Sequence, residues 1–248
     1  MNEKVKVVAV SYLNTKPLVY GFKQGMMKNE IELIFDIPSK ASEKLMNNEV
    51  DLGLIPVAAI PDLKEYYIIS DYCIGATNPV ASVCLFSEVP IEEIDSIILD
   101  YQSKTSVALL KILLKEYWNI QPLFINSESE FHNEIKGNKA GLIIGDRALV
   151  QLNNFKYVYD LAETWQLHTG LPFVFAAWVS NKKLSDDFVF NFNDVLKTSL
   201  SKMDEISKEI NFPYYDLDKY YHYNLDYKLD EQKLEALELF WQKLKTID

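Results

Sequence analysis

Val7-Val8-Ala9-Val10-Ser11-Tyr12-Leu13-Asn14-Thr15-Lys16-Pro17-Leu18 decides how the chain is read. Its first four residues are apolar and three of them are β-branched, which predicts a short buried strand. The strand runs into a polar turn carrying hydroxyls, an amide and one aromatic ring. Pro17 stands where the first turn of a helix begins, a place that suits a residue without an N–H. Such a strand end brings polar side chains and backbone N–H groups to the mouth of a sheet, where open α/β folds bind ligands. The alternative is an ordinary strand–turn–helix with Thr15 as its cap.

The rhythm continues outward from there. Ile31 to Ile37 alternates as a strand, Ser39 caps a helix running to about Asn48, and Asp51 to Pro56 is a strand closed by proline. Tyr66 to Ser70 and Val80 to Phe86 are rich in aromatic and β-branched residues, as strands are. A second unit starts near Pro90. It holds a strand at Ser96 to Leu99, a polar turn to Ser106 and a helix from Val107 to Tyr117. A strand at Pro122 to Ile125, a polar helix at Glu128 to Lys136 and a strand at Ala140 to Ile144 follow, then a strand at Lys156 to Tyr159 and a helix at Asp160 to Leu167. Phe173 to Val179 is almost wholly apolar, as a strand buried on both faces must be.

The tail from Ser185 is helical: Asp186 to Ile210, a Tyr/Asp-rich helix near Tyr214 to Tyr221 that reads as packed surface, and Asp230 to Lys245. Leu234, Leu237, Phe240, Trp241 and Leu244 share one face of the last helix. Alternating strands and helices predict an α/β protein whose sheets carry helices on their faces. With eight glycines and no Gly/Ser linker, the units are expected to connect through strands, near Val80 to Ser87 and near Phe173 to Val179. That predicts a discontinuous first lobe, 1–86 plus 175–248, with an inserted second lobe, 87–174, and a cleft between them that closes by hinge motion.

Composition bounds the function. The chain has 248 residues, 48% hydrophobic and 25% charged, enough for a sizeable core without staples. A net charge of −11 argues against nucleic-acid and anionic-membrane partners. An anionic ligand must then be held by local dipoles and N–H groups, against the field of the whole protein. Met1-Asn2-Glu3-Lys4 and the short apolar run after it lack the layout of an export signal, so a cytoplasmic protein is expected. No apolar run approaches membrane-spanning length. Cys73 and Cys84 lack metal-ligand spacing and read as small buried hydrophobes.

Three polar turns carry candidate chemistry. Ser103, Thr105 and Ser106 open a helix whose first N–H groups lack intrahelical partners. One hydroxyl suffices for a cap, so three predict an anion cradle suited to a carboxylate. Asn14 offers two donors and an acceptor without charge, and either holds a ligand hydroxyl or carboxylate or caps its turn. Asp146, after Gly145, reads first as a helix N-cap, with ligand contact as the alternative. There is no Walker loop, dinucleotide glycine fingerprint, nucleophile elbow or metal-ligand spacing. His132, His168 and His222 lie in unrelated contexts.

Five segments, in this order, carry a resemblance: Ser11-Tyr12-Leu13-Asn14 with Pro17-Leu18, Asp51 to Val57, Ser82-Val83 with Leu85-Phe86-Ser87, Ser103 with Thr105-Ser106, and Thr169-Gly170-Leu171-Pro172-Phe173-Val174-Phe175-Ala176. Together they resemble the chorismate dehydratase family, the first enzyme of the futalosine route to menaquinone. The family's turn has alanine-like residues where Thr15-Lys16 stand in this chain.

The resemblance implies a two-lobed fold of the type II periplasmic-binding-protein kind. It also implies a hydro-lyase that converts chorismate to 3-[(1-carboxyvinyl)oxy]benzoate and water without metal or organic cofactor. It places Asn14 at the reacting centre, with the helix start at Ser103 on one carboxylate. Ser82, with Ser11 or Thr15, holds polar groups on the other side, and Tyr12, Asp146, Thr169 and Gly170 complete the expected substrate contacts. Two rivals stand beside this reading. One is a non-enzymatic binding protein for a small anion, and the other is the related 1,4-dihydroxy-6-naphthoate synthase.

Overall fold

The computed structural model describes residues 4–247, so the Met1-Asn2-Glu3 leader reading lies outside the described residues. Strand β1 (Val5–Val10) leads through a single turn at Leu13–Thr15 into α1 (Lys16–Lys23). Then come β2 (Ile31–Asp36), α2 (Pro38–Met46), β3 (Leu52–Pro56) and the long β4 (Tyr67–Ala76). The second unit holds β5 (Val83–Ser87), β6 (Ser96–Leu99), α3 (Lys104–Leu113), β7 (Leu123–Asn126), β8 (Lys139–Ile144), α4 (Asp146–Gln151), β9 (Tyr157–Asp160) and α5 (Leu161–Thr169). The chain returns with β10 (Phe173–Ser180), α6 (Asp186–Leu200), α7 (Met203–Glu209), the short α8 (Leu217–Lys219), β11 (Asp226–Lys228) and α9 (Glu231–Leu244).

Two mixed sheets result. The first has the order β11-β4-β10-β3-β1-β2 and the second β7-β6-β8-β5-β9. In the first, β1 runs parallel to β2 and β3, while β10 pairs antiparallel with β3 and β4. All eight residues of β10 are buried, as a strand with neighbours at both edges and helices on its faces requires. Strand β5 hydrogen-bonds to β8 and β9 in the second sheet. Sheet membership therefore changes between β4 and β5, across 77–82, and again between β9 and β10, across 161–172.

The main core runs through both lobes, and a smaller cluster of Cys84, Phe86, Ile98, Phe131, Ile135, Ile143 and Ala148 covers one face of the second sheet. Cys73 and Cys84 are buried, unpaired thiols within these cores.

Several local expectations are corrected. Helix α2 starts at Pro38 with Ile37 as its N-cap, because proline suits the first helical position better than Ser39 suits a cap inside it. Thr15 occupies the N-cap of α1 without a side-chain cap bond, its hydroxyl turning to Asn14 Oδ1 at 3.2 Å. The segment expected as a polar helix at Glu128 to Lys136 makes only one tight turn, His132–Glu134. Its two apolar side chains, Phe131 and Ile135, instead sit directly on Gly141, where a Cβ would come within 2.8 Å of both. The tail helix breaks between Leu200 and Met203, and the Tyr/Asp stretch yields only α8 and one wide turn before β11, a strand not expected from the sequence.

Candidate functional site

The strand ends expected to carry chemistry meet in one crevice between the sheets. Its walls bring Tyr12 and Asn14 together with Ser82, Ser103, Ser106 and Gly145. Val10, Pro56, Ile74, Val80, Phe175 and Ala176 make the rest apolar. The space open to the centre of a water molecule is about 50 Å³.

The helix start at Ser103 divides its hydroxyls among three tasks. Ser103 caps α3, accepting the Ser106 N–H at 3.2 Å. Its own proton goes to Ser106 Oγ at 3.0 Å, which leaves the Ser106 proton for the crevice. Thr105 Oγ1 accepts the Ala58 N–H at 3.1 Å and so ties the second lobe to the first. The capping role and the cradle thus coexist, on different residues.

Asp146 does not cap α4, since Gly145 holds that position with φ 65° and ψ −148°. The Asp146 side chain crosses the cleft to accept the Leu13 N–H at 3.0 Å. Burial raises its pKa, against the pull of the Leu13 N–H, Lys16 and Arg147. A third tie runs from the Tyr12 hydroxyl to Gln102 Oε1. Gln102 is held by Arg147 Nη2 at 3.0 Å, and Arg147 in turn pairs with buried Asp100 at 2.8 Å. Burial also pushes the Tyr12 phenol well up, so it stays protonated and donates. Leu13, Tyr12 and Ala58 therefore hold the second lobe through three bonds, and Arg147 is already neutralised where it lies.

On the first-lobe side, Asn14 presents its amide to the crevice while Tyr227 holds its carbonyl through a 2.9 Å bond. Ser82, at the crossing, accepts the Tyr220 hydroxyl at 2.8 Å, and its carbonyl takes the Gly145 N–H at 2.7 Å.

Other expected contacts lie elsewhere. Ser11 is exposed and does not line the crevice, and Thr15 is buried behind Asn14. Thr169 and Gly170 end α5: the Thr169 hydroxyl donates to the Trp165 carbonyl at 2.8 Å, and Gly170 adopts the left-handed C-terminal conformation at φ 76°. The histidines sit away from the crevice, His168 on Glu116 at 3.1 Å and His222 on Asp204 at 2.8 Å. Sequence reasoning missed Gln102, Asp100, Arg147 and Tyr220. The bonds from Arg147 to Asp100 and Gln102 and from Tyr220 to Ser82 span 45 or more residues of chain, so no local spacing signals them.

Among the described residues, no carboxylate, imidazole or amine lines the crevice; Tyr12 is its one titratable side chain. The lining offers hydroxyls and an amide that bind oxygen atoms, in an otherwise apolar, shielded space. No helix among the described residues is long and apolar enough to cross a membrane.

Comparison with known proteins bears on the fold and the family. Solved structures with the same architecture include a protein of Archaeoglobus fulgidus, with TM-score 0.70 and 17% identity over 98% of this chain and 97% of that one. The periplasmic aliphatic sulphonate binding protein of Escherichia coli matches with TM-score 0.62 and 14% identity, over 99% and 87%. Two relatives are named chorismate dehydratase. The Thermus thermophilus protein is 26% identical over 69% of this chain and 68% of its own length, and the Campylobacter jejuni protein is 27% identical over 95% and 84%. The profile of the menaquinone biosynthesis family matches residues 5–246, and the chain belongs to that family.

Proposed function

We propose that this protein is a chorismate dehydratase, a hydro-lyase that removes water from chorismate to form 3-[(1-carboxyvinyl)oxy]benzoate. One observation carries the chemical side of this reading: the crevice is lined by oxygen-binding groups from both lobes and by no protein base. Chorismate brings two carboxylates and a ring hydroxyl. Ser106, with its proton directed into the crevice, and the start of α3 suit one carboxylate. Asn14 suits the departing hydroxyl, which its amide N–H₂ stabilises as negative charge develops on that oxygen.

The proton to be lost sits on the carbon bearing the enolpyruvyl ether, and the substrate's own enolpyruvyl carboxylate takes it. The C–H electron pair enters the ring, the C–O pair leaves with the hydroxyl, and proton and hydroxide together make the water. The ring becomes aromatic, which drives the reaction. The protein contributes geometry and exclusion of water. Holding an internal base in place lowers a barrier by up to roughly 7–11 kcal/mol.

The two other readings fare less well. A plain anion receptor needs no reacting group beside its ligand, and the relatives named above are enzymes of chorismate. The naphthoate synthase reading has no support among these relatives.

Incubating the purified protein with chorismate, with product followed by mass and ultraviolet absorption, tests the reading. The benzoate product is expected, and Asn14→Ala is expected to lose turnover by on the order of a hundredfold, as loss of one preorganised oxyanion donor does. Its melting temperature should hold. Chorismate recovered bound and unchanged would favour the receptor, and full activity of Asn14→Ala would remove the role given to that side chain.

A further inference from the structure

The Tyr/Asp-rich stretch that reads as packed surface fastens to the crevice from behind. Asn224 Nδ2 donates to the Pro79 carbonyl at 2.6 Å, Tyr227 to the Asn14 carbonyl at 2.9 Å and Tyr220 to Ser82 Oγ at 2.8 Å. The last bond has a chemical consequence that the other two lack. Tyr220 and Ser82 are 0% and 1% exposed, so neither exchanges its partner for bulk water. Between a phenol and an alcohol, the phenol is the stronger acid and the weaker acceptor, so Tyr220 donates and Ser82 accepts. No described residue takes the Ser82 proton in return, and Ser82 lines the crevice.

We propose that Tyr220 is a positioning residue that fills one acceptor site of Ser82 and turns its O–H into the crevice. The Ser82 proton is then matched by a ligand acceptor, a carboxylate, ether or hydroxyl oxygen. Across the cleft, Ser103 does the same for Ser106, so both lobes present an outward O–H to the ligand. Two inward-facing donors of this kind suit an oxygen-rich ligand.

Tyr220 is not a source of protons for the departing hydroxyl. Burial raises its pKa well above that of a free phenol, and Asp146, Tyr221 and Tyr215 add to the cost of a phenolate there. The proton stays on Tyr220, and its effect on Ser82 is orientation and polarisation.

The pairing rests on geometry alone; only the choice of chorismate as probe rests on the function proposed above. Steady-state kinetics with chorismate should show Tyr220→Phe raising KM about three- to tenfold, the usual worth of one hydrogen bond, with kcat little changed. In the Ser82→Ala background, Tyr220→Phe should cost nothing further, because its only route to the ligand has gone. Losses that multiply, or a fully active Tyr220→Phe, overturn the proposal. A second measurement needs no substrate. The buried Tyr220 hydroxyl proton should give a slowly exchanging NMR resonance, absent in Tyr220→Phe and shifted in Ser82→Ala. A resonance that ignores Ser82→Ala, or none at all, defeats the pairing whatever the substrate. A resonance that shifts while wild-type protein leaves chorismate intact defeats the substrate reading and leaves the pairing standing.

Discussion

Gly145 shows how a single residue sets the site. Its backbone, at φ 65° and ψ −148°, lies in a region that side chains beyond glycine rarely enter. A Cβ added there would lie 3.2 Å from the Tyr12 ring, whose hydroxyl ties the lobes together. The glycine therefore serves two neighbours: it turns β8 into α4 and leaves room for Tyr12. Gly145→Ala should cost about 1–3 kcal/mol of stability in denaturant unfolding, and it should also raise KM by displacing Tyr12. A stability loss with unchanged KM would separate the two roles. The sequence marks Gly145 as a break in a strand, but it carries no sign that Tyr12 lies opposite.

At the scale of elements, the start of α3 carries the clearest division of labour. Ser103 is the cap and Ser106 faces the crevice, although the two hydroxyls touch. Ser103→Ala should cost about 1 kcal/mol, as lost caps do, seen as a melting temperature roughly 2–4 °C lower for a chain this size. Ser106→Ala should leave melting nearly unchanged and raise KM about tenfold or more, the worth of a hydrogen bond to a charged group. Equal effects on melting and on KM in both variants would refute this separation. The three hydroxyls were legible in the sequence as more than one cap requires, whereas the diversion of Thr105 to Ala58 was not. The opposite holds for the stretch from Tyr214 to Tyr227. Its composition reads as surface, yet Tyr220 and Tyr227 are buried against Ser82 and Asn14 because β11 adds to the edge of the first sheet.

At the scale of the whole molecule, Asp160 sits where the chain passes between lobes. It caps α5 through the N–H groups of Ala162 and Glu163, and it also accepts the Ala81 N–H at 2.6 Å, from a residue held at φ 61°. One buried carboxylate thus fastens the outgoing crossing to the returning helix. Burial raises its pKa from 3.8 to about 6, against the pull of these N–H groups. Between those values the folded protein holds a proton that the unfolded chain has released, so this group's contribution to stability falls as pH rises through the window and is level above it. In unfolding measured against pH, the stability of wild type relative to Asp160→Asn should increase by up to about 3 kcal/mol as pH falls from about 6 to 3.8. A difference between the two proteins that does not change with pH would show that Asp160 titrates normally.

The chain by itself determined the alternation of strand and helix, the strand end that delivers Asn14, the hydroxyl-rich start of α3 and the almost wholly apolar β10. Each of these is a local pattern, because hydrophobic period, proline placement and capping act within a few residues. Only the tertiary structure decided which hydroxyl caps and which faces the crevice, that Asp146 reaches Leu13 in preference to its own helix, and that Tyr220 backs Ser82. The last two depend on donors and acceptors 133 and 138 residues away in the chain, brought within hydrogen-bond distance by the tertiary fold.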